Sequence, residues 1–453
     1  MGAIDVLASI ADRFPTIQKP AQRPTLYRRL AWTGVILVLY LIMSNIPLYG
    51  IPQQAQQNQI TLQQIIFASS AGTLMELGIG PIVTAGLILQ VLVGTKIINM
   101  DLTNPNDRKR FTAAQKSLAV FFAIFESTMF VVGKRYWAGT GIEPTLFEMG
   151  IVIFQLSFAS FLVILMDEML QRGWGIGSAI SLFILAGVAQ QVIWSLFGFA
   201  PGVIYGLLPA LINDRSVLVI ARPNGFPDVT GLLATLAIIF LLIYLQAMRV
   251  EIPVTSQRLR GIRTRVPLQF IYVTNIPILL VGILVADLQL LEGIIRDFFG
   301  QNSGFYRVYS DIVYYLSPPR GIIIALSDPL RTFVFAVSWI VMAILFGYLW
   351  VEIAGLNPRE QAQRLVKSGL EVPGMRRNPR ILEGILRGYI YPLTLLSSII
   401  VGLIAVVADI FGAYGTGTGL LLAVGIINQY YTMISYERAL ETYPMLRRLL
   451  GEG

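Results

Sequence analysis

The chain has neither cysteine nor histidine among its 453 residues. Without cysteine there are no disulfides and no thiol nucleophile, and without histidine there is no Ser-His-Asp triad; together the two absences remove Cys- and His-based metal centres. Charge is also scarce, at 13% of residues against 55% hydrophobic, and the mean hydropathy is +0.67. A chain of this size with so little polar surface must meet lipid. No nucleotide-binding motif is visible: Gly415-Thr-Gly-Thr-Gly419 follows no strand and so is not a phosphate loop. The net charge of +8 is compatible with nucleic acid, anionic lipid or plain membrane topology, and its placement decides among them.

What is present is long apolar windows. Spans of about 20 residues fall at 31–49, 78–96, 113–133, 146–166, 176–197, 229–248, 268–286, 330–350, 389–408 and 418–436. Three further apolar patches, Ile60 to Leu77, Val203 to Ile212 and Leu288 to Phe299, are short or carry charges and read as partly inserted or surface pieces. Residues 1–30 lack the apolar core of a signal peptide; Ile4, Leu7, Ile10, Ala11 and Phe14 share one helical face, as in an interfacial helix. With the N-terminus inside, 26 of the 34 Lys and Arg lie on that side and 8 opposite, so the positive-inside rule predicts both termini in the cytoplasm.

Glycine and proline interrupt the spans in a regular way. Gly78-Ile-Gly-Pro81 breaks a hydrophobic stretch, ending one helix and beginning another. Backbone freed inside a bilayer must face protein or a water-lined cavity, so the break points to a lumen. Span 2 carries Gly80-Pro81 and span 7 carries Ile276-Pro277; span 5 opens Gly175-Ile-Gly-Ser178 and span 10 opens Gly415-Thr-Gly-Thr418. The partners lie five spans apart, which predicts two inverted halves related by an in-plane pseudo-twofold. Ionisable groups inside spans are few. Glu126 is the clear case, while Asp287 and Asp409 near span ends read as hydrated carboxylates. That poverty counts against a proton- or ion-coupled transporter with inverted repeats, the competing class; a membrane insertase without a continuous pore is a third reading.

Taken together, Leu77-Gly-Ile-Gly-Pro-Ile-Val-Thr-Ala-Gly-Leu-Ile-Leu-Gln-Val-Leu-Val-Gly94, Gly175-Ile-Gly-Ser178, Tyr272-Val-Thr-Asn-Ile-Pro277 and Gly415-Thr-Gly-Thr-Gly419 resemble the SecY family of protein-conducting channel subunits. Gly72-Thr-Leu, Met100-Asp-Leu, Trp350-Val-Glu, Gly355-Leu and Tyr389-Ile-Tyr-Pro392 place the resemblance on the archaeal and eukaryotic branch. It implies an all-α polytopic membrane protein: ten transmembrane helices in two inverted five-helix halves, around a central hourglass pore with a short plug half-helix. Its parts would be a cytoplasmic segment 1–30, an N-terminal half 31–225 with the plug at about 56–73, a C-terminal half 226–436 and a cytoplasmic tail 437–453.

The resemblance also implies roles. An aliphatic ring of Ile79, Val83, Ile180, Ile184, Leu279 and Leu422 would seal the pore. The plug would include Ile65, Ile66, Ala68, Ser69, Ser70 and Gly72; some relatives carry a basic residue where Ser70 stands. A lateral gate between spans 2 and 3 and spans 7 and 8 would present Thr84, Glu126, Thr274 and Asn275, releasing apolar segments into the bilayer. Arg258, Arg260, Arg263 and Arg265 in loop 6/7, with Arg376 and Arg377 in loop 8/9, would dock the ribosome. Implied partners are small single-span subunits of SecE/gamma and beta type, the ribosome, and signal sequences of nascent polypeptides. No cofactor and no catalysis are implied.

Overall fold

The computed structural model describes residues 3–11, 13–52, 72–95, 97–98, 100, 104–133, 136–137, 143–199, 204–213, 220–222, 226–256, 262–273, 276–367, 370–371 and 379–442. The implied plug residues Ile65 to Ser70, gate residues Thr274 and Asn275, and loop residues Arg258, Arg260, Arg376 and Arg377 lie outside them, as does most of the tail.

Ten helices overlap the ten apolar windows: α2 (Leu26–Met43), α3 (Gly80–Gly94), α4 (Pro105–Val132), α5 (Leu146–Gln171), α6 (Ala179–Phe197), α8 (Val229–Ala247), α9 (Ile276–Phe299), α12 (Pro329–Ile353), α14 (Pro379–Ile410) and α15 (Gly417–Thr442); the seventh window, 268–286, opens instead in a strand, and its helix begins only at Ile276. The shorter ones are α1 (Ala3–Ala11), α7 (Leu207–Asn213), α10 (Gly304–Leu316), α11 (Ile322–Ser327) and α13 (Pro358–Lys367). Leu288 to Phe299, expected as a partly inserted or surface piece, instead continues α9: Gly293 is carried inside the helix, and the chain turns away only at Gly300, which takes φ 77°.

Among the described residues, three short segments form strands. Residues Arg249–Ser256 (β1) and Ile262–Gln269 (β2) form an antiparallel hairpin, with Pro253 opposite Arg265. Leu370–Glu371 (β3) pairs with Thr255 and Ser256, giving the order β2-β1-β3. A single small sheet therefore joins loops 6/7 and 8/9.

The chain divides into two compact units. The first comprises residues 1–191, 286–311 and 425–453. Within it α4 packs on α1, α3 and α5. Ser127 and Ser157 share a hydrogen bond of 2.8 Å between α4 and α5, the kind of polar contact that holds helices together in lipid. The N-terminal segment is bound to protein and does not lie free at an interface. Ile4 and Ala11 are buried, with Ile4 against Leu89, Phe111 and Ala114, whereas Ile10 is exposed. Ser117 donates to the Leu7 carbonyl (2.7 Å), Lys116 to the Pro15 carbonyl (2.9 Å) and Trp174 Nε1 to the Gln18 carbonyl (2.8 Å). At the far end of the segment Arg23 and Arg29 pair with Glu437 at 2.7 and 2.5 Å.

The second unit comprises residues 192–285 and 312–424. Its centre is the α12–α14 pair. Phe335, Trp339, Ala343, Gly347 and Val351 recur every fourth residue along α12 and are all buried. On α14, Ser398 stands against Gly347 and Gly402 against Ala343 and Ile340. Small residues let the two backbones approach, and in lipid that close packing takes over the part water plays for soluble bundles. The outward faces are apolar: Phe240, Phe333 and Leu345 stand exposed where lipid would cover them.

Candidate functional site

In the first unit the break at Gly78 to Pro81 is a short turn. Gly78 takes φ 53°, Ile79 caps α3, and Pro81 occupies its first turn, where the missing N–H costs nothing. Ile79 is 1% exposed and Val83, one turn on, is half-buried. The chain entering the break is pinned on both sides. Leu48 N–H donates to the Gly72 carbonyl at 2.9 Å and Leu74 N–H to the Ile46 carbonyl at 3.0 Å. The buried Glu76 carboxylate accepts from the Gly72 N–H, and Gln155 of α5 bonds both backbone groups of Tyr49. The end of the segment assigned to the plug is thus tied to the end of α2.

The start of α6 depends on a carboxylate from the preceding helix. Asp167, buried near the end of α5, accepts through Oδ1 from Ser178 Oγ (2.7 Å), Ala179 N–H (3.0 Å) and Ile180 N–H (3.4 Å). Gln171 donates to its Oδ2 at 2.6 Å. Ile184 is buried and Ile180 half-buried on the helix so anchored, next to Phe183, which stacks on Tyr40 at 4.5 Å.

The second unit repeats the arrangement. Asp409, near the end of α14, is 4% exposed and accepts from the Gly417 N–H at 2.7 Å, at the first residue of α15. This overturns its expected role as a hydrated carboxylate, because burial leaves only protein donors to satisfy it. The Arg320 guanidinium supplies opposite charge: burial pushes its pKa down and Asp409 opposes that shift. Gly415 and Thr416 both take positive φ, 85° and 61°, to aim the helix start back at the carboxylate. Leu422 is buried on α15; Leu279, half-buried, follows Pro277 in the first turn of α9.

Of the gate residues, Thr84 and Glu126 are described. Thr84 Oγ1 is buried without a hydrogen-bond partner among the described residues, and half-buried Glu126 interacts electrostatically with Asp287 of α9. Arg265 is exposed and pairs with Glu251 across the hairpin at 2.5 Å, which raises its pKa; Arg359, Arg364, Lys367 and Arg380 are exposed around α13. The hairpin root is firm, since Tyr272 and Val273 pack with Val351, Ala362, Leu382 and Leu386, and Tyr272 OH donates to the Leu356 carbonyl at 2.6 Å.

The SecY family profile matches residues 73–431, and a profile described as the plug domain of Sec61p matches residues 38–72. The chain belongs to the SecY family. The protein translocase subunit SecY of Aeropyrum pernix is 67% identical over 454 residues, covering 100% of this chain and 99% of that one. Among solved structures, one described as a protein conducting channel aligns with TM-score 0.80 at 35% identity, covering 97% of this chain and 98% of the other. Sec61 in a canine ribosome-channel complex aligns with TM-score 0.77 at 34% identity and the same coverage. As a SecY-family member the chain is a translocase subunit of a ten-helix membrane channel, and its family is one of transport channels and not of enzymes.

Sequence reasoning missed Asp167, Glu76 and the hairpin of this SecY-family chain. A signal existed for Asp167 and Asp409: each is an aspartate a few residues before the glycine motif that opens the next span, at 175–178 and 415–419 respectively.

Proposed function

We propose that this chain forms the passive conduit through which unfolded polypeptides cross the membrane, closed by the ring Ile79, Val83, Ile180, Ile184, Leu279 and Leu422. One observation carries the reading: all six aliphatics lie at the cap or within the first two turns of α3, α6, α9 and α15, helices two, five, seven and ten of the ten. Each of those helices starts at a Gly or Pro interruption. Side chains clustered at such starts are suited to a constriction, and an aliphatic one can dewet to block ions while yielding to a passing chain of any sequence. Residues 31–225 and 226–436 act as the two inverted halves, hinged at the connection between spans 5 and 6. Segment 56–73 acts as the plug, rooted at Gly72. Thr84, Glu126, Thr274 and Asn275 line the seam through which apolar signal segments leave for lipid.

The sheet uniting loops 6/7 and 8/9 supports a single basic platform for ribosomal RNA. We assign Arg258, Arg260, Arg263, Arg265, Arg376 and Arg377 to that platform, together with the exposed cations of α13. Both termini then lie in the cytoplasm, as the distribution of Lys and Arg supports, and single-span subunits of SecE/gamma and beta type complete the assembly. Single cysteines at Ile79, Val83 or Leu422, introduced into a chain without any of its own, form disulfides with a stalled translocating polypeptide. Crosslinks that avoid all three positions defeat the pore assignment.

A further inference from the structure

We infer that Asp167 and Asp409 are paired positioning residues that set the register of the pore seal, one in each inverted half. The inference rests on the ring assignment above and deepens it. The two carboxylates occupy matching places: the last turn of α5, the fourth span, and the last turn of α14, the ninth. Each reaches across a turn with positive φ, at Gly177 (72°) or at Gly415 and Thr416, to hold the first N–H groups of the next helix, α6 or α15. Those two helices are the fifth and tenth spans, and both carry ring residues close behind the cap. Ile180 directly follows the capped Ala179 and is itself within reach of Asp167, while Leu422 stands five residues beyond Gly417.

A buried helix start has orphan N–H donors that water cannot reach, so removing the acceptor leaves them unsatisfied and the first turn loosens. Loosening there moves the side chains of the seal directly. The two halves differ in how they complete the carboxylate. Asp167 gathers Ser178 and Gln171, whereas Asp409 is balanced by Arg320 and its Oδ2 has no hydrogen-bond partner among the described residues. The shared element is the bond to the helix start, and it is the element both halves keep.

A third buried aspartate separates positioning from ordinary capping. Asp228 caps α8 through Gly231 N–H (2.7 Å) and Thr230 Oγ1 (2.8 Å), and α8 carries no ring residue. The test measures ion leak through the full chain, with its partner subunits, in vesicles without substrate. Asp167→Ala and Asp409→Ala raise the closed-state leak roughly tenfold, the scale of a lost buried cap. The conservative Asp167→Asn and Asp409→Asn, which keep an acceptor oxygen, stay within about twofold of the parent, and Asp228→Ala lowers thermal stability without leak. Asp409→Glu, which keeps the charge but displaces the acceptor, leaks as well and carries the test if the alanine variants fail to accumulate. If Ile184→Ser and Leu422→Ser leak while the aspartate variants seal, the inference is refuted and the ring stands. An equal leak from Asp228→Ala refutes it too, by reducing the effect to general loosening. Silence of both serine variants refutes the ring, and the inference with it.

Discussion

Replacing Gly417 with alanine tests the packing that fixes the start of α15. A Cβ built at this glycine overlaps the Ala405 carbonyl oxygen of α14 and comes within 2.7 Å of Ala405 Cα and 2.8 Å of its carbonyl carbon. Ordinary contact begins near 3.4 Å, so clearing Ala405 Cα alone takes about 0.7 Å and clearing its carbonyl oxygen takes more, and the obstacle is helical backbone that no rotamer change can clear. Overpacking of this kind costs about 1 to 3 kcal/mol. The same retreat lengthens the 2.7 Å bond from Gly417 N–H to Asp409. Gly384, inside α14, makes the control: nothing stands within 4 Å of its added Cβ, and alanine there stabilises by about 0.5 to 1 kcal/mol through helix propensity. Thermal midpoints of the purified full chain should therefore fall for Gly417→Ala and hold or rise for Gly384→Ala. A Gly417→Ala chain as stable as its parent would show that α15 does not sit against α14 as described.

Trp339, fully buried and donating to the Leu316 carbonyl at 2.9 Å, should cost about 3 to 5 kcal/mol as alanine. As phenylalanine it should cost less, about 1 to 3 kcal/mol, because most of the aromatic packing is kept while the donor to Leu316 and part of the ring are lost; equal midpoints for the two variants would contradict this. Glu437→Gln removes the carboxylate from two arginines at a mostly buried corner and should lower stability by about 1 to 3 kcal/mol. It should also expose the 13–25 segment to protease, and an unchanged digestion pattern would count against Glu437 as its anchor. Arg263→Glu with Arg265→Glu should weaken ribosome binding and flatten its dependence on salt; unchanged affinity and slope would remove loop 6/7 from the docking surface.

The spans were readable because each is a long apolar run, and lipid demands that the backbone close its own hydrogen bonds within such runs. The hairpin was not, although Val250, Ile252 and Val254 alternate with polar neighbours, because Pro253 and Pro267 interrupt both strands and a proline argues against a strand interior. The pairing across to Leu370 is a contact over more than a hundred residues, which no local pattern announces. Among the site residues, Ile79 was marked by the break in which it sits. Leu422 has no such mark, since a leucine in a span is ordinarily a lipid or packing contact, and only the family resemblance singled it out. Asp409 was misread because proximity to a span end stands in sequence for access to water, whereas here Arg320 and the start of α15 enclose it. The amphipathic face of residues 4–14 was legible as a stripe, but its partner was not: protein and lipid offer the same apolar contact, and only Leu89, Phe111 and Ala114 decide between them.

The strand that joins loops 6/7 and 8/9 gives the channel a lever. Here β1 is bonded on one side to β2 and on the other to β3. Force entering at one point therefore leaves at several: through Tyr272 and Val273 into the root of α9, through Val351 into the end of α12, and through Leu382 and Leu386 into the start of α14. Three transmembrane rods share one handle, so a load on the sheet is spread among them and not borne by a single helix.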